Sequence, residues 1–146
     1  MVIDDNGVAY SVKKKIEDDT SLDVYTKYDG FELPKDKPYV LIESMQNNNQ
    51  SLSKGRETVQ TIFRYQVGIF AESDAKLSEY QGELRNLFLF EVFDLYDGLG
   101  VKTNRTFEIN DDFNENQIFS DDLTDITRRH RLYFTVEIPL NIHRRR

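Results

Sequence analysis

Two long alternating patterns of apolar and polar residues predict the main strands of this chain. The odd positions from Val59 to Ile69 are Val, Thr, Phe, Tyr, Val and Ile, whereas the even positions are mostly polar. The same alternation runs from Leu132 to Ile142. Successive side chains of a strand point to opposite faces, so each segment is predicted to turn one face to the core. Pro139 has no N–H for a ladder, and we expect the second strand to lie at a sheet edge there or to leave the sheet.

A helix is predicted between these strands, from Asp74 to Tyr96. Its apolar positions recur at spacings of three, four and seven, which is typical of a helix that covers a sheet. The members of this face are Leu77, Tyr80, Leu84, Leu87, Phe88, Glu91, Val92 and Leu95, all apolar or aromatic except Glu91. Ser73 can cap the first turn, and the glycines after Tyr96 suit a helix end. Residues 87–96 are apolar nearly all round, so we expect the sheet and a second body, such as another subunit, to bury them.

Shorter patterns predict the remaining elements. Apolar residues at every fourth position indicate a short helix at about Tyr10 to Glu17. Strand-forming residues indicate strands at 22–28, 39–45 and 101–109. The order is helix, three strands, helix and two strands, which predicts a single α+β domain over 1–146. We expect a mixed or antiparallel sheet of about five strands with helices on one face.

Composition narrows the class of protein. The chain has 146 residues, a length typical of one domain, and no Cys, which excludes a disulfide framework. It shows no signal peptide and no apolar run long enough for a membrane span, so we expect a soluble cytosolic or particle-borne protein. The net charge of −7 argues against general nucleic-acid binding, because such binding depends on cations that contact phosphates.

A polar segment at 46–56 is predicted to be a long, mobile, exposed loop. It contains three consecutive asparagines and almost nothing that a core would bury. Two interpretations remain open: a solvated connector, or a segment that becomes ordered on a partner. The candidate partner-binding residues in this segment are Asn47, Asn48, Asn49, Lys54 and Arg56.

Charge is divided sharply in the last third of the chain. Residues 107–125 hold seven carboxylates and no Lys or Arg, whereas 126–146 hold six Arg and one Glu. We interpret the first as an acidic loop and 143–146 as a basic tail. The tail could be a solubilising end, could bind an acidic surface of a neighbouring subunit, or could lie close to passing DNA. The candidate partner-binding residues are Asp111, Asp112, Asp121, Asp122, Arg144, Arg145 and Arg146.

Signs of catalysis or metal binding are weak. His130 and His143 have no His or Cys at metal-ligand spacing, and motifs for nucleophilic serine or phosphate loops are absent. A calcium-loop pattern begins at Asp112 but has Gln117 where glycine is required and Leu123 where a bidentate Glu is required. We therefore predict a solvated or partner-facing acidic loop, no catalytic residue, no metal and no cofactor.

The element order resembles a family of small proteins of tailed phages and prophages. The features that carry this resemblance are an N-terminal helix, a strand with Val24-Tyr25, and a strand led by Pro38, followed by the polar loop. A strand ending in Val67-Gly68-Ile69-Phe70, a helix, and the strand from Leu132 to Ile138 complete it. The family is the tail terminators of long non-contractile-tailed phages, also called tail completion or head-to-tail joining proteins.

The resemblance implies a non-enzymatic structural protein of the virion tail, present in the host cytoplasm during assembly. It implies a hexameric ring that caps the tail tube, contacts the tail tube protein and the head connector protein, and lets DNA pass without sequence-specific binding. The apolar residues around Phe88, Phe90 and Phe93 would then lie between subunits or complete the core. The loop at 46–56 would contact the tube or the connector. Ring closure needs two different contacting patches, with which the opposite charges of 107–125 and 126–146 are compatible.

Other functions fit the sequence as well. One alternative is another ring-forming connector or tail-tube component. A different class is a small acidic protein that binds and inhibits a host factor, which would be a monomer that captures one host protein. An enzyme is the third alternative and would need a cleft with perturbed carboxylates.

Overall fold

The computed structural model describes residues 2–28, 30–52, 55, 57–118 and 130–143. In chain order its elements are α1 (Asp5–Asp19), β1 (Asp23–Thr26), β2 (Tyr39–Ser44), β3 (Asn48–Ser51), β4 (Thr58–Phe70), α2 (Asp74–Phe90), β5 (Phe93–Tyr96), β6 (Lys102–Phe107), β7 (Asn114–Ile118) and β8 (Arg131–His143).

The strands form a six-stranded sheet and a separate two-stranded sheet. The larger sheet has the order β1-β2-β4-β8-β7, and β3 pairs with β4 on the same side as β2. β1 is parallel to β2, and the other pairs are antiparallel. β5 and β6 form an antiparallel hairpin apart from this sheet. The predicted single-domain α+β fold with a mixed sheet is confirmed, with six strands in the large sheet rather than five.

The core lies between the two helices and one face of the large sheet, as predicted. The alternation in β4 and β8 is confirmed, because their core-facing residues are buried and the intervening ones are mostly half-exposed. The small hairpin packs against α1, where Tyr96 donates its backbone N–H to the Ser11 hydroxyl at 2.8 Å. The helices and the hairpin therefore share one side of the sheet.

Among the residues that the structure describes, the opposite face of the sheet is covered at one end. Tyr39, Leu41 and Phe70 are buried there and pack against Phe31 and Leu33 of the loop before β2. The rings of Tyr39 and Phe70 stack with centroids 4.7 Å apart. The rest of this face carries polar side chains such as Arg64 and Glu137, which form an ion pair at 3.5 Å.

Pro139 occupies the position that its chemistry requires. β7 pairs with β8 from Arg131 to Thr135, and within the described ranges no strand lies on that side of β8 at Pro139. Glu137 accepts a hydrogen bond from Asn110 N–H at 2.9 Å, on the side away from β4. Backbone groups two residues apart in a strand face the same way, so the missing N–H of Pro139 also faces away from β4. The expectation of an edge position is confirmed.

The first helix is longer than the prediction of Tyr10 to Glu17. It begins after Asp4, whose carboxylate accepts the Gly7 N–H at 2.9 Å, and runs from Asp5 to Asp19. The consecutive lysines 13, 14 and 15 each reach an acidic residue four positions later, at 3.4, 3.6 and 3.0 Å. These pairs support the last turn, including Asp18 and Asp19 beyond the predicted end.

The second helix begins where predicted but ends earlier. Ser73 caps it by accepting the Lys76 N–H at 3.2 Å. The predicted end at Tyr96 is wrong, because α2 stops at Phe90 and Phe93–Tyr96 forms β5. Phe93 and Leu95 are buried while Asp94 is exposed, which is a strand alternation. Leu95 lies seven residues after Phe88, so it also fitted the helical spacing.

Candidate protein-binding surfaces

The polar segment at 46–56 contains a strand, β3, so its interpretation as one long loop is wrong. β3 pairs with β4 from Asn48↔Ile62 to Ser51↔Val59, and Leu52 N–H bonds to the Thr58 carbonyl at 2.9 Å. β2 and β3 thus continue along the same side of β4. Three residues, 45–47, lie opposite two residues of β4 between these ladders, which is a bulge. All four β3 side chains are exposed.

Asn47 ties this bulge to the first helix. Its amide nitrogen donates to both carboxylate oxygens of Asp5, at 2.9 and 3.1 Å, and its amide oxygen accepts the Arg64 N–H at 3.3 Å. The buried Tyr65 hydroxyl donates to the Asp5 carbonyl at 3.1 Å. Burial, and next the charge of Asp5, raise the pKa of Tyr65 far above its usual range. Asn47 therefore belongs to an internal network.

The other candidates in this segment divide between the hairpin face and residues outside the described part. Asn49 accepts a hydrogen bond from the Thr61 hydroxyl across the β3–β4 ladder. In the amide orientation that gives both side-chain atoms of Asn48 a hydrogen-bond partner, its oxygen accepts a hydrogen bond from the Arg64 guanidinium at 2.7 Å. Lys54 and Arg56 lie outside the described residues.

The acidic segment contains a strand rather than a continuous loop. Asp111 and Asp112 form an exposed turn, and β7 follows at Asn114. Asn114 and Asn116 pair with β8 as strand residues, so they do not curve as a calcium loop would. Asp121 and Asp122 lie outside the described residues, as do Arg144, Arg145 and Arg146.

Glu115 anchors β7 to the second helix. Its carboxylate accepts two bonds from Arg85 Nε at 2.9 and 3.0 Å, one from Arg85 Nη2 at 2.7 Å, and one from Gln81 at 2.8 Å. These hydrogen bonds hold the pKa of Glu115 below its usual range, and the same contact raises the pKa of Arg85. Glu115 therefore stabilises the fold, whereas Asp111 and Asp112 are exposed to solvent.

Both histidines lie at the ends of β8. His130 Nδ1 is 2.7 Å from the Asp74 carboxylate at the start of α2, and His143 Nδ1 is 3.0 Å from the Thr58 hydroxyl. His130 has a left-handed backbone with φ 53°. In the described ranges, no group of three or more His, Cys, Asp or Glu side chains could hold a metal ion.

An exposed apolar surface lies where α2 passes into β5. Leu89, Phe90 and Val92 are 36, 76 and 47% exposed, and we call these three residues the Phe90 patch. Phe88 and Phe93 complete the core, which was one of the two expectations for the aromatic cluster, whereas Phe90 is exposed. Leu89 and Val92 line one groove together with Phe107, and Phe90 lines another beside Glu91. Exposed apolar side chains grouped in this way are candidates for an interaction site.

A second exposed apolar surface lies at the far end of the β5–β6 hairpin. Leu99 is 91% exposed and Val101 is 58% exposed, and we call this pair the Leu99 patch. The hairpin runs from the Phe93↔Phe107 pair beside the Phe90 patch to the Tyr96↔Lys102 pair beside the Leu99 patch. Sequence reasoning assigned these residues to a helix end and a strand and missed their common exposure.

No model of a known protein family matches the chain, and no curated protein matches it either. Within the part of the chain that the structure describes, no helix has the length and apolar character needed to cross a membrane.

Proposed function

We propose that this protein is a non-enzymatic phage structural protein that caps the tail tube as a ring and joins it to the head connector. The first support is the resemblance of its element order to the tail terminators. The N-terminal helix, the strand after Pro38, the long β4, the helix α2 and the long β8 follow one another in that order. Another ring-forming connector or tail-tube component remains the alternative of the same class.

The observation that carries the proposal is the pair of apolar patches at opposite ends of the β5–β6 hairpin. A ring needs a head-to-tail contact, in which one surface of a subunit meets a different surface of the next. The Phe90 patch and the Leu99 patch are different surfaces, separated by the length of the hairpin. Contact between the Phe90 patch of one copy and the Leu99 patch of the next would bury both and repeat around a closed ring.

Two single substitutions test this head-to-tail contact. Phe90→Ser and Leu99→Ser should each abolish ring formation while circular dichroism stays native, because both side chains are exposed. Met45→Ser is the control, since Met45 is 43% exposed on another part of the surface. Rings that persist in both patch variants would contradict the proposed contact.

Mixing the two variants tests the direction of the contact. Each variant keeps one intact patch, so a mixture contains one complete Phe90–Leu99 contact per pair of subunits. We expect an equimolar mixture to form pairs joined by that contact, beyond any association seen in either variant alone, but no rings. If each variant associates as well alone as in the mixture, the contact is not head-to-tail.

Capping itself is tested on the tail tube protein encoded in the same genome. Added to polymerising tubes, the wild-type chain should stop growth and appear as a ring at the tube end in electron micrographs. Phe90→Ser should leave growth unchanged. A stable monomer that leaves tubes unaffected and captures a single host protein would instead support the acidic inhibitor.

A further inference from the structure

The edge of the large sheet at β1 is open. β1 is the terminal strand of the order β1-β2-β4-β8-β7, and among the described residues no strand pairs with its outer side. Lys27 N–H bonds to the Ile42 carbonyl of β2 at 2.9 Å. Backbone groups alternate in direction along a strand, so Asp23 and Tyr25 also face β2, whereas Val24 and Thr26 point outward. An exposed row of such groups is a template for another strand.

A groove runs beside this edge and leaves room for an incoming strand. It has a volume of about 840 Å³ and lies between α1, which contributes Tyr10, Lys13 and Glu17, and the aromatic residues Tyr28 and Phe31. Tyr28 is 67% exposed. The edge is therefore bounded on both sides but is not covered.

The side chains on the face of β1 away from the helices form a charged and aromatic row. Asp23, Tyr25 and Lys27 alternate with the buried Val24 and with Thr26, so these three share a face. Tyr25 lies on this face against Tyr39, with ring centroids 6.0 Å apart, and Lys27 reaches Glu43 at 3.5 Å. Asp23 is exposed and makes no ion pair within the described residues.

We infer that β1 pairs antiparallel with β1 of a second copy, across a two-fold axis at Tyr25. In this register Val24 lies opposite Thr26 of the second copy, so the outward N–H and C=O groups of both residues exchange hydrogen bonds. Asp23 then lies opposite Lys27 of the second copy, twice across the axis, and Tyr25 lies opposite its own copy. The row of Asp23, Tyr25 and Lys27 is therefore complementary to the same row of a second copy that runs in the opposite direction.

Neighbouring registers lack this complementarity. With Val24 at the axis, Asp23 would lie opposite Tyr25, and with Thr26 at the axis, Lys27 would lie opposite Tyr25. Opposite charges directly across two strands stabilise the pair and like charges destabilise it, so charge selects the register centred on Tyr25. The axis is perpendicular to the sheet, so both copies of α1 stay on the same face of one continuous sheet.

This contact is independent of the proposed ring. It joins identical surfaces and closes at two copies, whereas a ring joins different surfaces. It uses β1, and no residue of the Phe90 patch or the Leu99 patch lies in β1. The β1 pairing can therefore be correct even if the capping function is wrong, and the capping function can be correct even if the β1 pairing is wrong.

Disulfide formation at a single introduced cysteine tests the register directly, because the chain has no cysteine of its own. Residues opposite each other in a non-hydrogen-bonded antiparallel pair have Cβ atoms about 4.5–5.5 Å apart, within reach of a disulfide. Tyr25→Cys should therefore oxidise to a covalent dimer under mild oxidant. Lys27→Cys is the matched control, since the two copies of position 27 would be about 13 Å apart in this register. Absence of the Tyr25→Cys dimer, or equal dimer in both variants, would overturn the inference.

Charge reversal tests the ion pairs. Asp23→Lys places two like-charge pairs across the axis and should weaken dimerisation about tenfold or more in sedimentation equilibrium. Asp23→Lys combined with Lys27→Asp restores opposite charges and should recover most of that loss. Glu79→Lys on α2 makes the same charge change away from β1 and should have no such effect. A double variant as weak as the single, or an unaffected single variant, would overturn the register.

Discussion

At the scale of single residues, the hydroxyl of Tyr65 belongs to a hydrogen-bond network that joins distant parts of the chain. It is fully buried and donates to the backbone of Asp5, whose carboxylate also accepts from Asn47. Three distant parts of the chain thus meet at the start of α1. The alternation in β4 predicted that Tyr65 points inward, but no local pattern indicates that Asn47 faces Asp5. The contact joins positions 42 residues apart and depends on the bulge in the β2–β3 strand.

Asn47 and its neighbour on β3 should therefore differ in their effect on stability. Asn47→Ala removes hydrogen bonds to a carboxylate and should lower the free energy of unfolding by about 1–2 kcal/mol. Gln50→Ala, at an exposed position of β3, should change it by no more than about 0.5 kcal/mol. Urea denaturation measures both values. Equal effects would show that the Asn47 contact adds nothing to the fold.

Gly7 is required by the close approach of α1 to the β5–β6 hairpin. A Cβ at Gly7 would lie 2.5 Å from the Tyr96 carbonyl oxygen and 2.6 Å from the Asp97 carbonyl carbon. These are backbone atoms, so Gly7→Ala should destabilise the protein by about 1–3 kcal/mol. Gly82→Ala in α2 is the control, because a Cβ there meets nothing within 4 Å. That change should stabilise by about 0.5–1 kcal/mol, since alanine favours a helix. The same sign for both in urea denaturation would contradict this account.

The junction of α2 and β5 illustrates, at the scale of elements, what sequence patterns resolve. The start of α2 at Asp74 and the long strands β4 and β8 were predictable, because each combines a long periodic pattern with a clear end or cap. The end of α2 was not, because residues 92–96 satisfy both the helical spacing and a strand alternation. β3 and β7 were missed because their polar sequences carry no apolar alternation, and pairing with longer strands makes them strands.

Truncation of two phenylalanines near this junction should have very different effects on stability. Phe88 is 1% exposed and packs against Phe134 with centroids 5.2 Å apart, so Phe88→Ala should cost about 3–5 kcal/mol. Phe90 is 76% exposed, and Phe90→Ala should change the unfolding free energy by about 0.5 kcal/mol or less. Both are measured on dilute protein, so that association does not contribute. A large cost at Phe90 in the monomer would place it in the core rather than at an interface.

The contact between α2 and β7 should depend on pH. Because the pKa of Glu115 is lowered in the folded state, its stabilisation is present above the unfolded pKa and is lost as pH falls through the folded value. Glu115→Gln should cost up to about 1 kcal/mol at pH 7, a limit set by solvent screening of a partly exposed pair. The difference should narrow below about pH 4. Glu79→Gln, in the exposed pair with Lys76, is the control, and a difference that widens in acid would contradict the assignment.

At the scale of the whole molecule, the fold class followed from the sequence and the binding surfaces did not. The order of strong elements predicted an α+β domain with helices on one side of a mixed sheet, which the structure confirms. The exposed patches arise from tertiary contacts, because Phe88, Phe90 and Phe93 look alike in sequence and differ only in which faces α2 and β5 turn inward. A ring that caps a tail tube remains a prediction built on these patches and on the family resemblance.

The most direct test is the mass and shape of the assembled wild-type chain. Light scattering across a concentration series, followed by electron microscopy, should reveal a closed ring of about six copies with a central hole wide enough for DNA. Measuring Asp23→Lys in parallel weakens pairing through β1, so the number of subunits in the ring can be counted with less contribution from that contact. Failure of both proteins to form any closed assembly larger than a dimer, up to the limit of solubility, would contradict the ring.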